Sequence, residues 1–127
     1  MTDVKFFLFC DAAAITQDNK IIAHGIFENL SAKQFPVVHP SMAVVFRIDG
    51  PEVMNGAELT FRIRNIMAEK DVLNAKLPLN MSRENNSFQG VINLVAVNLE
   101  NPGEYQGILF LNEKQIGILK LNVGQIK

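Results

Sequence analysis

Apolar and polar residues alternate with a period of two along most of this chain. The clearest run is Leu59-Thr60-Phe61-Arg62-Ile63-Arg64. Successive side chains of a strand point to opposite faces, so Leu59, Phe61 and Ile63 are expected in a core and Thr60, Arg62 and Arg64 in water. Wound as a helix, the same residues would scatter their apolar groups around the axis. The run from Met42 to Ile48 repeats the pattern, with Met42, Val44, Phe46 and Ile48 inward, and its β-branched and aromatic content supports a strand. Residues 4–10 are apolar apart from Lys5 and read as a strand covered on both faces.

Turn residues divide the rest into short units. Asp18-Asn19 lies between Ile15 and Ile21-Ile22, where Asn and Asp tolerate the left-handed geometry of a tight hairpin. Ile21 to Ile26 is the returning strand. From Phe27 to Pro40 the chain reads as a long connection, because Pro36 and Pro40 break regular pairing. Ala68-Glu69-Lys70-Asp71 is expected to turn between strands at 58–66 and 72–79, and Ser82 to Ser87 to form a polar loop. Phe88 to Leu99 is a strand closed by Asn101-Pro102-Gly103. Tyr105 to Leu111 and Ile116 to Val123 make a hairpin around Asn112-Glu113-Lys114-Gln115. A helix competes over 66–79, where Ile66, Met67, Lys70, Leu73, Asn74 and Leu77 share a helical face; the hairpin is preferred because strands flank it and no N-cap precedes it. The sum is about eight strands at sandwich or barrel spacing. The expected fold is all-β, a single-domain antiparallel β-sandwich spanning residues 1–127, without internal repeat or linker.

Composition changes this picture little. The chain has 127 residues, 48% of them apolar and 20% charged, and a net charge of −1. That length suffices for a core without disulfide or metal, and no global field favours nucleic acid or anionic lipid. The single cysteine, Cys10, excludes an intramolecular disulfide and fits a reducing compartment. Phe6-Phe7-Leu8-Phe9-Cys10 is too short an apolar run for an export signal, and no stretch has the length of a membrane span. A cytoplasmic protein is expected.

Several landmarks stand in a particular order: Cys10-Asp11-x-Ala13, Lys20 with Gly25-Ile26-Phe27, Phe35-Pro36-x-x-His39-Pro40, the alternating strand 59–64, and Pro102-Gly103-x-Tyr105. In this order the chain resembles a family of small bacterial proteins known only as a domain of unknown function. The resemblance implies an Ig-like β-sandwich and no activity, so no site residue is carried over. One departure is Glu69-Lys70-Asp71, where a glycine turn is expected. Tyr105, the only tyrosine, enters a late strand after a Pro-Gly turn. There it serves either as a corner that returns its hydroxyl to nearby backbone or as an ordinary half-buried aromatic.

Chemistry is sparse. His24, His39 and Cys10 stand at no metal-ligand spacing from one another, and a site of His24, His39 and Asp11 needs the fold to gather three strands. Cys10 lies in an apolar run beside Asp11, which suits a buried, inert thiol. No nucleophile elbow, phosphate loop or dinucleotide fingerprint occurs. Arg47, Arg62 and Arg64 fall on outward positions and offer a basic stripe, although solubility and cross-strand pairing with glutamates explain them as well. Stacking aromatics for nucleic acid are missing.

The expected function is therefore a non-enzymatic protein-interaction or structural module, with a protein partner or self-association and with no cofactor, metal, nucleic acid or membrane. Its candidate surface is the 27–41 connection, with Phe35, Val37, Val38 and His39, unless that loop merely packs over the end of the sandwich. The alternatives are a small-ligand or lipid carrier binding between the sheets, and an unrecognised enzyme using Asp11 or His24.

Overall fold

The computed structural model describes residues 2–81 and 86–126. Most of the expected Ser82–Ser87 loop thus lies outside the described residues. The described chain folds into nine strands: β1 (Asp3–Ile15), β2 (Ile21–Phe27), β3 (Asn29–Ala32), β4 (Val37–Asp49), β5 (Glu58–Asn65), β6 (Lys70–Pro78), β7 (Ser87–Leu99), β8 (Gly103–Leu111) and β9 (Lys114–Gln125). They form a four-stranded sheet in the order β2-β1-β4-β7 and a five-stranded sheet in the order β3-β9-β8-β5-β6. The protein is all-β. Among the described residues there is no helix, hence none long and apolar enough to cross a membrane.

The two sheets share one apolar core. Phe7 and Phe9 of β1 and Met42, Val44, Phe46 and Ile48 of β4 meet Leu59, Phe61 and Ile63 of β5 and Leu109, Leu121 and Val123 of β8 and β9. The ring of Phe61 stands edge-on to Phe7 and to Phe9, with centroids 6.0 and 6.3 Å apart, an arrangement that suits the quadrupoles of the rings. The inward sets expected for β4 and β5 are both in place. Thr60, expected in water, is instead buried.

The short turns follow their residues. Asn19 takes φ 62° in the β1–β2 hairpin, and Asn112 and Glu113 take φ 50° and 69° in the β8–β9 hairpin, both left-handed as a tight primed turn requires. The turn at 66–69 replaces the competing helix, and Glu69 occupies the left-handed position with φ 53° where a glycine was expected. Tyr105 is fully buried, and its hydroxyl donates to the carbonyl oxygen of Asn101 at 2.7 Å. The corner arrangement, not the half-buried one, is what the chain adopts.

Three expectations need correction. The segment 27–40 is not one long connection: β3 occupies its first part and β4 begins at Val37, leaving only Glu28 and residues 33–36 between strands. Pro40 is tolerated inside β4 because the ladder with β7 steps from His39–Val97 to Ser41–Val95, leaving Pro40 and Ala96 unpaired. Second, β3 raises the number of strands to nine, and its pairing with β9 is parallel while every other pairing is antiparallel. Third, Arg47 lies on the first sheet and Arg62 and Arg64 on the second, so no common basic stripe exists. Their partners are aspartates. Arg64 Nη1 is 3.1 Å and Arg62 Nε 3.5 Å from Asp71, and Arg47 Nε is 3.5 Å from Asp49. The Arg62 guanidinium also lies 4.9 Å from the centre of the Phe110 ring.

Candidate functional site: the strapped face and open edge of the first sheet

The middle of the outer face of the first sheet, turned away from the core, is apolar rather than solvated. Cys10, Ala43 and Val45 form a second cluster there, with Phe6, Leu8, Ala13, Ile21, Ala23 and Val91 packed against it. Cys10 is 0% exposed, which is unusual on the outside of a sheet and requires a cover.

The cover is the distal half of the β1–β2 hairpin. Pairing of β1 with β4 ends at Cys10–Ala43, after which β1 pairs with β2 alone. Asp11 and Gly25 face each other at this point without entering the ladder, and Gly25 adopts φ +67°. Beyond this irregularity, Ala13, Ile21 and Ala23 turn back onto the cluster. At the hairpin tip the carbonyl oxygen of Asn19 accepts a hydrogen bond from Nε2 of Gln89 on β7. Since β1 and β4 separate β2 from β7 within the sheet, the tip reaches Gln89 only by crossing over the sheet surface. The hairpin is thus a strap folded over the outer face. Beneath it burial pushes the Cys10 thiol pKa up, and the charge of Asp11 adds to the shift. Cys10 is buried, as its apolar neighbours led us to expect.

The strap does not reach the far end of the face. Val95, beside Ser41 in the ladder, shares the outward column of Val91 and Asn93 and is 77% exposed. Val38, opposite Asn98, points to the same side and is 56% exposed. β7 pairs with β4 on one side; among the described residues no strand pairs with its other side. This edge is thirteen residues long, Ser-Phe-Gln-Gly-Val-Ile-Asn-Leu-Val-Ala-Val-Asn-Leu, without a single charge. Its ladder is regular over 87–95, and at Ala96 (φ 54°) the inward positions switch from Ile92 and Leu94 to Val97 and Leu99. An edge of this length and composition exposes a row of backbone donors and acceptors able to receive another extended chain.

The residues expected in the 27–41 surface part company. Phe35 and Val37 pack against the core, and Val37 pairs with Leu99. The ring of His39 lies 6.5 Å from that of Phe27. Only Val38 joins the exposed outer face. His24 sits opposite Ala12 on β2 and His39 opposite Val97 on β4. Among the described residues no group of three or more His, Cys, Asp or Glu could hold a metal ion. A depression of about 80 Å³ lined by Asn65, Lys70, Asp71, Val72, Asn98 and Glu100 has more charged than apolar side chains. The β7 edge escaped the sequence reading because nothing in a strand's composition says which side of it stays unpaired; the signal was the charge-free run itself.

A family model matches residues 5–124. The chain belongs to DUF6941, a family of unknown function. No curated protein matches the DUF6941 chain. Among solved structures it is similar to the β-glucosidase from Listeria innocua in complex with isofagomine, with a TM-score of 0.51 at 10% identity. The glucose complex of that enzyme gives a TM-score of 0.51 at 11% identity. In both, the match covers 98% of the DUF6941 chain but 16% of the enzyme. Identity this low speaks for a shared shape and for nothing of the enzyme's chemistry.

Proposed function

We propose that this DUF6941 chain is a non-enzymatic interaction module that takes up an extended polypeptide segment along the open edge of β7. The observation that carries the reading is the edge itself, thirteen residues with no charged side chain and, among the described residues, no strand on one side. Proteins commonly guard long edges with charges, prolines or covering segments, and an unguarded one suits strand addition, in which backbone hydrogen bonds supply affinity and alternate side chains supply selectivity. The exposed Val95 and Val38 give the added strand an apolar flank.

The scaffold we propose is an Ig-like sandwich carrying one extra N-terminal strand. Three features support this: β3 leaves the first sheet to run parallel to the last strand, β8 opens with a buried tyrosine bonded back to the preceding corner, and β4 and β7 pair in one sheet while β5, β8 and β9 pair in the other. A reducing, cytoplasmic setting accords with a free, buried Cys10.

The test is affinity capture of the tagged protein from native lysate, set beside a Val95→Lys variant. The reading expects a partner retained by the wild type and lost from the variant at unchanged thermal stability. Equal capture by both would sink it.

A further inference from the structure

We infer that the segment occupying this edge is β7 of a second copy, paired antiparallel about a two-fold axis through 87–95. The inference rests on the strand-addition reading and names its partner. Its first ground is a contrast among the four edge strands. The β6 edge carries Lys70, Asp71 and Lys76 and ends in Pro78, which are ordinary defences against edge-to-edge pairing. The β3 edge is only four residues long. The β2 edge bends at Gly25, where φ is +67° and its distal half folds over the sheet. β7 alone is long and uncharged, with nine consecutive residues in regular register. A chain that guards, shortens or bends its other edges would self-associate through this one at any appreciable concentration.

The second ground is the chemistry of the strand. With no Lys, Arg, Asp or Glu, β7 has no charge pattern by which to select a foreign partner. It meets itself without like-charge opposition, which is the usual obstacle to isologous pairing. Its outward column of Gln89, Val91, Asn93 and Val95 places amides and β-branched side chains where cross-strand partners favour them, and its inward column (Phe88, Ile92, Leu94) already packs on a core. The third ground is closure. Two β7 edges related by a two-fold axis consume each other, whereas head-to-tail growth would need the bent β2 edge as acceptor. The product is one continuous eight-stranded sheet made from two four-stranded ones.

The experiment is sedimentation equilibrium on the wild type, Asn93→Lys, Val95→Lys and a control, Met67→Lys, in the turn between β5 and β6. Asn93 and Val95 are both exposed, so each lysine is compatible with folding, which near-ultraviolet circular dichroism verifies. Each lysine places in the pairing strand the kind of charge that guards natural sheet edges against further pairing. The expected result is a wild-type dimer, a dissociation constant raised by an order of magnitude or more in both β7 variants, and an unchanged dimer in the control. Amide exchange within 87–95 should be slow in the dimer and fast in the monomeric variants. A wild-type dimer untouched by either β7 lysine would overturn the inference. So would a wild-type monomer across the accessible concentration range, and lysate capture then separates the two readings. A captured protein lost on Val95→Lys leaves strand addition standing with a foreign partner, whereas capture indifferent to the substitution removes both.

Discussion

Gln89 on β7 donates its side-chain amide to the carbonyl oxygen of Asn19 at the tip of the β1–β2 hairpin, and this bond fastens the strap across the first sheet. The strap's apolar contacts come from small side chains, Ala13 and Ala23, with Ile21. One tip hydrogen bond is therefore a sizeable share of what holds it down, about 1 kcal/mol of net stabilisation. Gln89→Ala should leave global unfolding nearly unchanged but speed labelling of the Cys10 thiol by disulfide exchange roughly fivefold under native conditions, since local opening draws on local interactions. Labelling at an unchanged rate would mean that Cys10 is reached only by global unfolding.

Gly25 sets where the strap turns back. Its φ of +67° is costly for a residue with a side chain, and a Cβ there would also stand 2.9 Å from Cγ of Asp11. Both effects act in the same direction. Gly25→Ala is expected to lose about 1–3 kcal/mol in urea unfolding. Adding Asp11→Ala should recover the steric part but not the backbone part, which a double-mutant cycle reads directly.

The Tyr105 hydroxyl donates to Asn101 O at 2.7 Å, while Nδ2 of the buried Asn65 donates to Asn101 Oδ1 at 3.0 Å and to the hydroxyl at 3.3 Å. Tyr105→Phe removes the centre of this network and should cost about 1–2 kcal/mol. The same residue carries a pH signature. Burial is the main cause of a phenol pKa raised above its ordinary 10.0, so the folded state holds the proton more tightly than the unfolded chain. The stabilisation is whole below pH 10 and is lost as pH rises from there through the folded-state value. Cys10, raised from 9.0 chiefly by burial, begins the same loss about one unit earlier. Denaturation titrations should show stability falling above pH 9, with a shallower fall above pH 10 in Tyr105→Phe.

Period-two alternation revealed the inward faces of β4 and β5 because those stretches keep an unbroken register with β7 and β8. It failed where ladders slip. In β4 the core-facing positions run Val37 and His39, then Met42, Val44 and Phe46, so the phase changes at Pro40 and Ser41. A pattern that changes phase looks like no pattern, and with two prolines present it reads as a loop. The four residues of β3 hold too little periodicity to detect, and their parallel pairing with β9 is a tertiary choice. The same limit hid the strap: Cys10 was legible as buried from its apolar neighbours, but the hairpin covering it depends on the bend at Gly25 and on a contact 70 residues away in sequence. Tyr105 was legible because a Pro-Gly corner and a lone tyrosine are local features.

Val37 and Val38 are neighbours in sequence with opposite surroundings, and the contrast gives a sharp test of which part of the expected 27–41 surface is available to a partner. Val37 is half-buried against the core and pairs with Leu99 beside Val97, so an aspartate there would place an unpaired charge among apolar side chains. Val38 is 56% exposed on the opposite face, where an aspartate keeps its water. Val37→Asp is expected to lose about 3 kcal/mol or more, and Val38→Asp less than about 1 kcal/mol. Thermal unfolding of the two variants checks both. A comparable loss in the two would mean that β4 does not enter the sheet before Ser41 and that the segment packs as a loop. A loss confined to Val37→Asp leaves Val38→Asp as a folded protein, in which any change in self-association or partner capture reports the surface rather than the fold.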